Sequence, residues 1–395
     1  MTSNGSIRVL TVLPTLHCGG TENQVTTLTR ALADAGFNLE VACMHRAGPL
    51  VNTLTERDIP LREYPISSFL SPRAIGQQVR LARHIVSRRT QIVHAYSFYG
   101  NVFAIPPAAA VGVPVIIASV RDRGVYLTPR QTRAQKYICH LADRILVNAE
   151  AVKAWLLEQG YPLNKIVVIR NGVDVSRFDA PPDSNQIHQQ LGLAPGERMV
   201  TVVSRITPLK GLEQFIDAAS LLAPWFPRAR FVIAGDASAD GREYLVALKQ
   251  RAEHLGRRVL FIGHRFDVPA VLGSAAVSVM PSLNEALSNV LLESMAARAP
   301  IVATRVGGTL EAIADGDTGL LVPANDPKTL SEAIARLLMD PDLAAALGRA
   351  ARRTAESSFS LSRMVAATEQ LYRDLLAQKD TRVKHSAADR SSVRL

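Results

Sequence analysis

Pro281-Ser282-Leu283-Asn284-Glu285-Ala286-Leu287-Ser288-Asn289-Val290-Leu291-Leu292-Glu293-Ser294-Met295-Ala296 follows directly on the apolar run Ala275-Ala276-Val277-Ser278-Val279-Met280. The run is short, nearly unbroken and bounded by Pro281, which reads as a parallel strand buried on both faces. Ser288 or Asn289 supplies a helix N-cap, and Val290, Leu291, Met295 and Ala296 give the following helix an apolar side. A polar loop therefore joins the carboxyl end of a strand to a helix N-terminus. In open α/β sheets ligands bind at that place. Free N–H groups and the helix dipole there favour an anion such as phosphate.

Two carboxylates bracket this anion site, Glu285 in the loop and Glu293 within the helix. A phosphate has no use for carboxylates beside it. Ribose and hexose hydroxyls do, and a ribose at one end with a hexose at the other is the shape of a nucleotide-sugar. Taken alone, the pair is equally well explained by an ordinary helix glutamate and a solvated loop glutamate. The context is what adds weight. Ile301 to Val306 reads as the next strand, Gly307-Gly308-Thr309 as a turn into a helix carrying Glu311, and Leu320 to Pro323 as a further strand after Gly316-Asp317-Thr318-Gly319.

The segment PSLNEALSNVLLESMAARAPIVATRVGGTLEAIADGDTGLLVPANDP, residues 281–327, resembles the C-terminal domain of the retaining GT-B glycosyltransferases, specifically glycosyltransferase family four. Glu285 and Glu293 match its E-x7-E motif, and the Gly-Gly turn and TGLLVP strand follow in the family's order. The resemblance implies an α/β fold of two Rossmann-like doubly wound domains facing a cleft, with a C-terminal helix crossing back to the first domain. It implies that Glu293 binds ribose hydroxyls and that Glu285 binds sugar hydroxyls and stabilises an oxocarbenium-like centre. Backbone N–H groups near Ser288, Asn289 and Val290 would meet the diphosphate.

The strand Met199 to Arg205 opens this second half and leads through Ile206-Thr207-Pro208-Leu209-Lys210-Gly211 into a helix. Arg205 and Lys210 thus place two cations at the crevice. A leaving diphosphate gains charge as the glycosidic bond breaks, and fixed cations stabilise that change. The pair also resembles the family's R-x4-KG element, which clamps the donor diphosphate. Gly263-His264 follows another strand, where relatives hold the base.

The first half starts with the strand Ile7 to Pro14, a Gly19-Gly20 turn, a helix from Val25 to Ala35 and the strand Leu39 to Met44. This βαβ start lacks a full G-x-G-x-x-G fingerprint, which disfavours a dinucleotide oxidoreductase. The resemblance implies a phosphate or acceptor loop at Gly19 and Gly20. His94, at the end of strand Ile92 to Tyr96, is placed to face the same cleft. Arg121 ends the strand Val115 to Val120, where many relatives carry a histidine, so that histidine has no counterpart here. Arg121 is the catalytic candidate beside Glu285, holding developing negative charge; an ion pair with Asp122 or Asp143 is the structural alternative.

The 395 residues are 47% hydrophobic and 20% charged, a balance suited to two or three globular domains. Three cysteines at unrelated spacings support neither a disulfide framework nor a metal site and fit a reducing cytoplasm. No Asp-x-Asp element is placed to bridge a cation, so no metal or other cofactor is expected. The N-terminus enters a strand without a signal-peptide layout. The apolar run Val102 to Val120 is broken into a helix and a strand by Pro106-Pro107, Gly112 and Pro114.

Net charge is +10, and residues 1–180 hold 20 Lys and Arg against 12 Asp and Glu. A basic first half suits an anionic partner or simply a solvated surface. Within it, 73–90 reads as a helix with Ile75, Val79, Ala82 and Val86 on one face and five arginines largely off it. Such a helix fits docking on anionic lipid at the inner face of a membrane. The basic stretches lack interleaved aromatics, which argues against nucleic acid.

The expected domains are 1–180 on the acceptor side, 181–357 for the nucleotide-sugar, a crossover helix at 358–378 and a disordered tail at 379–395. A Pro-, Asp- and Ser-rich linker at 179–185 marks the boundary. The expected reaction moves a sugar from a UDP- or GDP-sugar to a polysaccharide, lipid-linked or other glycan acceptor. A sugar-nucleotide epimerase on the same fold and a non-catalytic nucleotide-binding protein are the alternatives.

Overall fold

A computed structural model describes residues 6–69, 71–180, 184–238 and 241–392, with side chains to residue 381. The chain forms two compact units, Met1–Arg170 with Ser362–Leu395, and Asn171–Leu361.

The first unit runs β1 (Arg8–Thr15), α1 (Gly20–Asp34), β2 (Asn38–His45), α2 (Leu50–Thr55), β3 (Leu61–Glu63), α3 (Pro72–Arg88), β4 (Ile92–Tyr96), α4 (Ser97–Ala110), β5 (Val115–Val120), α5 (Pro129–His140), β6 (Arg144–Val147), α6 (Glu150–Glu158) and β7 (Ile166–Val168). The strands form one sheet in the order β3-β2-β1-β4-β5-β6-β7, and each pairing is parallel. β4 and β5 are buried along their whole length, as strands covered on both faces must be. Helix starts follow local chemistry. Ser71 Oγ accepts from Ala74 N ahead of Pro72, and Thr128 with Gln131 forms a reciprocal capping box before Pro129. Pro106 and Pro107 lie inside α4 rather than ending it; the helix stops at Ala110, just before Gly112 at φ 69°.

The second unit runs α7 (Ser184–Gln190), β8 (Arg198–Val203), α8 (Leu212–Leu222), β9 (Ala229–Ala234), α9 (Arg242–Ala252), β10 (Val259–Gly263), α10 (Val268–Gly273), β11 (Ala275–Met280), α11 (Asn289–Ala296), β12 (Ile301–Thr304), α12 (Thr309–Ala312), β13 (Leu320–Val322), α13 (Pro327–Met339) and α14 (Pro341–Ser358). Its sheet is again parallel, in the order β10-β9-β8-β11-β12-β13. Asp326 and Asp340 cap α13 and α14 ahead of their prolines, as their sequence predicts. Phe215 and Phe231 centre the core, both fully buried and edge to face at 6.0 Å.

Both sheets have the doubly wound order 3-2-1-4-5-6, with one more strand in the first. The strand order reverses between β1 and β4 in one unit and between β8 and β11 in the other. Connections diverge there, and a crevice opens at the strands' carboxyl ends.

The boundary between the units falls at Arg170 and Asn171, ahead of the 179–185 stretch, of which 181–183 lie outside the described residues. The reason is local pairing. Asn171 Nδ2 donates to Leu287 O at 2.9 Å, Val173 N to Phe359 O at 2.8 Å, and Leu361 N to Val173 O at 2.9 Å.

The last helix, α15, is Leu361–Ser392. This corrects the expectation of a disordered tail from residue 379; residues 393–395 lie outside the described set. Polar composition alone does not forbid a helix when side chains pair one turn apart. Here Arg373 pairs with Glu369 at 2.7 Å, and Lys379 reaches Asp143 at 2.5 Å. Tyr372 packs edge-on against Phe37 at 6.0 Å and is almost fully buried. Tyr372→Ala should therefore cost the first unit about 3–5 kcal/mol, the scale for emptying a large aromatic site. Urea unfolding followed by a probe in that unit checks it.

Candidate active site

The loop 281–288 leaves β11 at the switch point of the second unit, and its path is set by backbone contact. A Cβ at Gly211 would overlap the Pro281 carbonyl oxygen, one at Gly307 that of Glu285, and one at Gly308 that of Ala286. Gly211 and Gly307 also have φ of +60° and +46°, which side chains disfavour. Four hydrogen bonds complete the cradle. Gln214 Nε2 donates to Pro281 O at 2.5 Å, Thr304 Oγ1 to Ser282 O at 2.5 Å, Leu283 N to Leu209 O at 2.8 Å and Asn171 Nδ2 to Leu287 O at 2.9 Å.

Glu285 sits on this loop, largely buried. Its Oε1 accepts from Ser282 Oγ at 2.9 Å and forms an ion pair with Lys210 Nζ. Arg205, earlier on the same β8 connection as Lys210, is exposed. Beside it, Ser204 Oγ and Thr207 Oγ1 are buried with no hydrogen-bond partner among the described residues. Sequence reasoning missed these hydroxyls, and their only signal was adjacency to Arg205.

Ser288 caps α11, accepting from Leu291 N, so Asn289 and Val290 form the first turn. Asn171 Nδ2 also donates to Asn289 Oδ1 at 2.8 Å. A turn signal was all that marked Asn171 in the sequence. Ser294 Oγ on α11 bonds Ser278 Oγ on β11 at 2.8 Å, and Arg352 Nη1 donates to Ala296 O at the helix end at 2.7 Å. Both ends of α11 are thus fixed, and with them Glu293 one turn in. Burial pushes the Glu293 carboxyl up to about 7, against the opposing pull of Arg177. The structure therefore brings together Lys210, Glu285 and the Ser288–Val290 turn, with Arg205 and Glu293 on the same connections. Gly263 ends β10, the sheet's edge strand, and His264 follows it. Gly263 adopts φ +69°, and His264 is exposed against Phe266, ring centroids 4.6 Å apart.

In the first unit, Gly19 is the N-cap of α1 and has ordinary φ, −115°. The Glu22 carboxylate folds back over it at the start of α1, where Gly20 begins the helix, and a Cβ at Gly19 would displace that flexible side chain. Arg121 is nearly buried. Burial disfavours its charge, while Tyr96 and Glu22 favour it. Of the partners expected for a structural ion pair, Asp143 binds Lys379 and Ile116 N, and Asp122 accepts from Gly124 N.

His94 requires a correction. It does not face an opening but is wholly buried, its Nδ1 hydrogen-bonded to Tyr372 Oη at 2.6 Å and its Nε2 to Ser119 Oγ at 2.8 Å. Burial first, then Arg121, lowers its pKa to about 3, so the ring is neutral. Tyr372 comes from α15, 278 positions away, which no local pattern reveals.

Two doubly wound parallel domains, with cations and carboxylates gathered at the second switch point, define a GT-B type of glycosyltransferase. Residues 183–354 match the glycosyl transferases group 1, and residues 18–177 match glycosyltransferase family 4. The D-inositol 3-phosphate glycosyltransferase of Corynebacterium urealyticum is 32% identical over 280 residues, 67% of this chain and 66% of that protein. The lipopolysaccharide core biosynthesis mannosyltransferase LpcC of Rhizobium leguminosarum is 34% identical over 249 residues, 62% of this chain and 69% of that protein. Anabaena HepE, crystallised with UDP and glucose, shares the fold at TM-score 0.84 and 21% identity, over 92% of this chain and 99% of that one. The chain belongs to glycosyltransferase family four, and so to the hexosyltransferases.

The raised Glu293 carboxyl has a consequence for stability. Between its ordinary value of 4.5 and about 7 the folded chain holds a proton that the unfolded chain has lost. Its contribution is thus most favourable below about 4.5 and declines as pH rises to about 7. Glu293→Gln should remove this decline, gaining stability over the parent at pH 8 but not at pH 4; thermal unfolding at both values checks it.

Proposed function

We propose that the protein transfers a hexose from a UDP- or GDP-sugar to a glycan acceptor, free or lipid-linked, with retention at the anomeric carbon. The observation that carries this is the Lys210–Glu285 ion pair on a backbone-locked loop at the second switch point, between Arg205 and the capped turn of α11.

Lys210 and Arg205 neutralise the diphosphate as the C1–O bond breaks and charge gathers on the leaving oxygen. The first-turn N–H groups of α11 add fixed dipoles there. Glu285 accepts sugar hydroxyls and faces the positive charge growing at C1. Glu293 accepts ribose hydroxyls, and Gly263 and His264 lie beside the base. In the first unit Arg121 and the Gly19-Gly20 turn meet the acceptor or a phosphate. Positive charge for the reaction comes from these side chains, so this reading needs no metal. HepE's complex with UDP and glucose, and LpcC's description as a mannosyltransferase of lipopolysaccharide core, support a nucleotide-sugar donor and a glycan acceptor. Because these relatives are transferases, an epimerase or a non-catalytic binder is not favoured.

Calorimetry with UDP-, GDP- and ADP-sugars tests the reading. One donor should bind tightly, and Glu293→Ala should weaken it tenfold or more, about 1.4 kcal/mol. Binding should also strengthen as pH rises through about 7, where Glu293 becomes an acceptor-only carboxylate. Lys210→Ala should lower kcat by about 100-fold; unchanged turnover would reject the clamp.

A further inference from the structure

The most apolar stripe of α3 is the one left in solvent. Ile75, Val79 and Val86 are 64%, 46% and 58% exposed, and Ala82 is half-buried among them. At 3.6 residues per turn these positions fall within an arc of about 60°. The helix is anchored instead by Ala74, Leu81 and Ile85, and by Gln78 Nε2, which donates to the Val102 and Phe103 carbonyls at 3.2 Å each. Burying the 75-79-82-86 stripe would have turned that anchor into water.

The helix's own charge is of one sign, and the nearby Glu40 carboxylate is taken up by His84 and Arg88. α3 contains no acidic residue, and Arg73, Arg80 and Arg83 are exposed on it. α5 packs, like α3, against α4. It too contains no acidic residue, and it presents Tyr137, 77% exposed, one turn after the exposed Arg133. An amphipathic helix with a cationic flank and unpaired aliphatic side chains has the form of an element lying in a membrane interface.

We propose that α3, aided by α5, seats the protein on an anionic lipid bilayer. Ile75, Val79 and Val86 enter the boundary between headgroups and acyl chains, and the arginines contact lipid phosphates. Charge selects this occupant over a second copy, because a symmetric contact of α3 with itself sets arginine against arginine. The inference deepens the proposed use of a lipid-linked acceptor by giving the surface at which that acceptor is met.

The test uses the full chain and extruded vesicles, either pure phosphatidylcholine or its mixture with phosphatidylglycerol. At low salt the protein should co-sediment with the anionic vesicles and stay in solution with the neutral ones. Ile75→Glu combined with Val79→Glu should reduce anionic binding at least tenfold while leaving donor affinity and thermal unfolding unchanged, since both side chains stand in solvent. Absence of wild-type binding, or binding by the double variant equal to wild type, would overturn the proposal. So would a wild-type dimer in sedimentation velocity that the double variant abolishes, which would make the stripe a contact between copies. Vesicle binding without binding of any nucleotide-sugar would instead sink the transferase reading and leave the docking surface standing.

Discussion

Carbonyl oxygens of Pro281, Glu285 and Ala286 occupy the space where side chains at 211, 307 and 308 would begin. That close approach of backbone to backbone is what the second unit's chemistry depends on. It fixes the height of the loop above the sheet and so the position of Glu285. It also ties together three connections, those leaving β8, β11 and β12. Lys210, Glu285 and the start of α11 therefore share one frame. A loop held this way loses little freedom when a ligand arrives, which is how binding energy is kept for the reacting centre.

The carboxylates on this frame differ in environment. Glu285 already has a cation and a hydroxyl against its Oε1. Glu293 is enclosed, with the pull of Arg177 outweighed by burial, and holds its proton to about pH 7. A neutral carboxyl can stay in that enclosure at little cost. In the first unit, burial acts in the opposite sense on His94. Enclosed by Tyr372, Tyr96 and Ser119, it stays neutral and ties α15 to β4, a structural role.

Much of this was legible in residues 275–327. The apolar run, the loop, the cap and the paired glutamates each have a local cause, and local causes are written in adjacent residues. Arg205 and Lys210 were legible for the same reason, since they flank a strand end and a glycine turn. Helix α3 shows the limit. Its periodicity was plain, but periodicity names a stripe without saying whether protein or water lies against it.

By itself, then, the sequence determined two halves of alternating strands and helices, the strand ends where ligands collect, and the charged groups placed at one of them. The strand order, the switch points and the fit of the 281–288 loop against three glycines came from tertiary structure, because they need residues distant in the chain to meet. The same holds for the burial of His94 by Tyr372, the length of α15 and the exposure of Ile75, Val79 and Val86. A side chain's neighbours within one turn are set by local geometry. Its neighbours across a domain are set only when the whole core has packed.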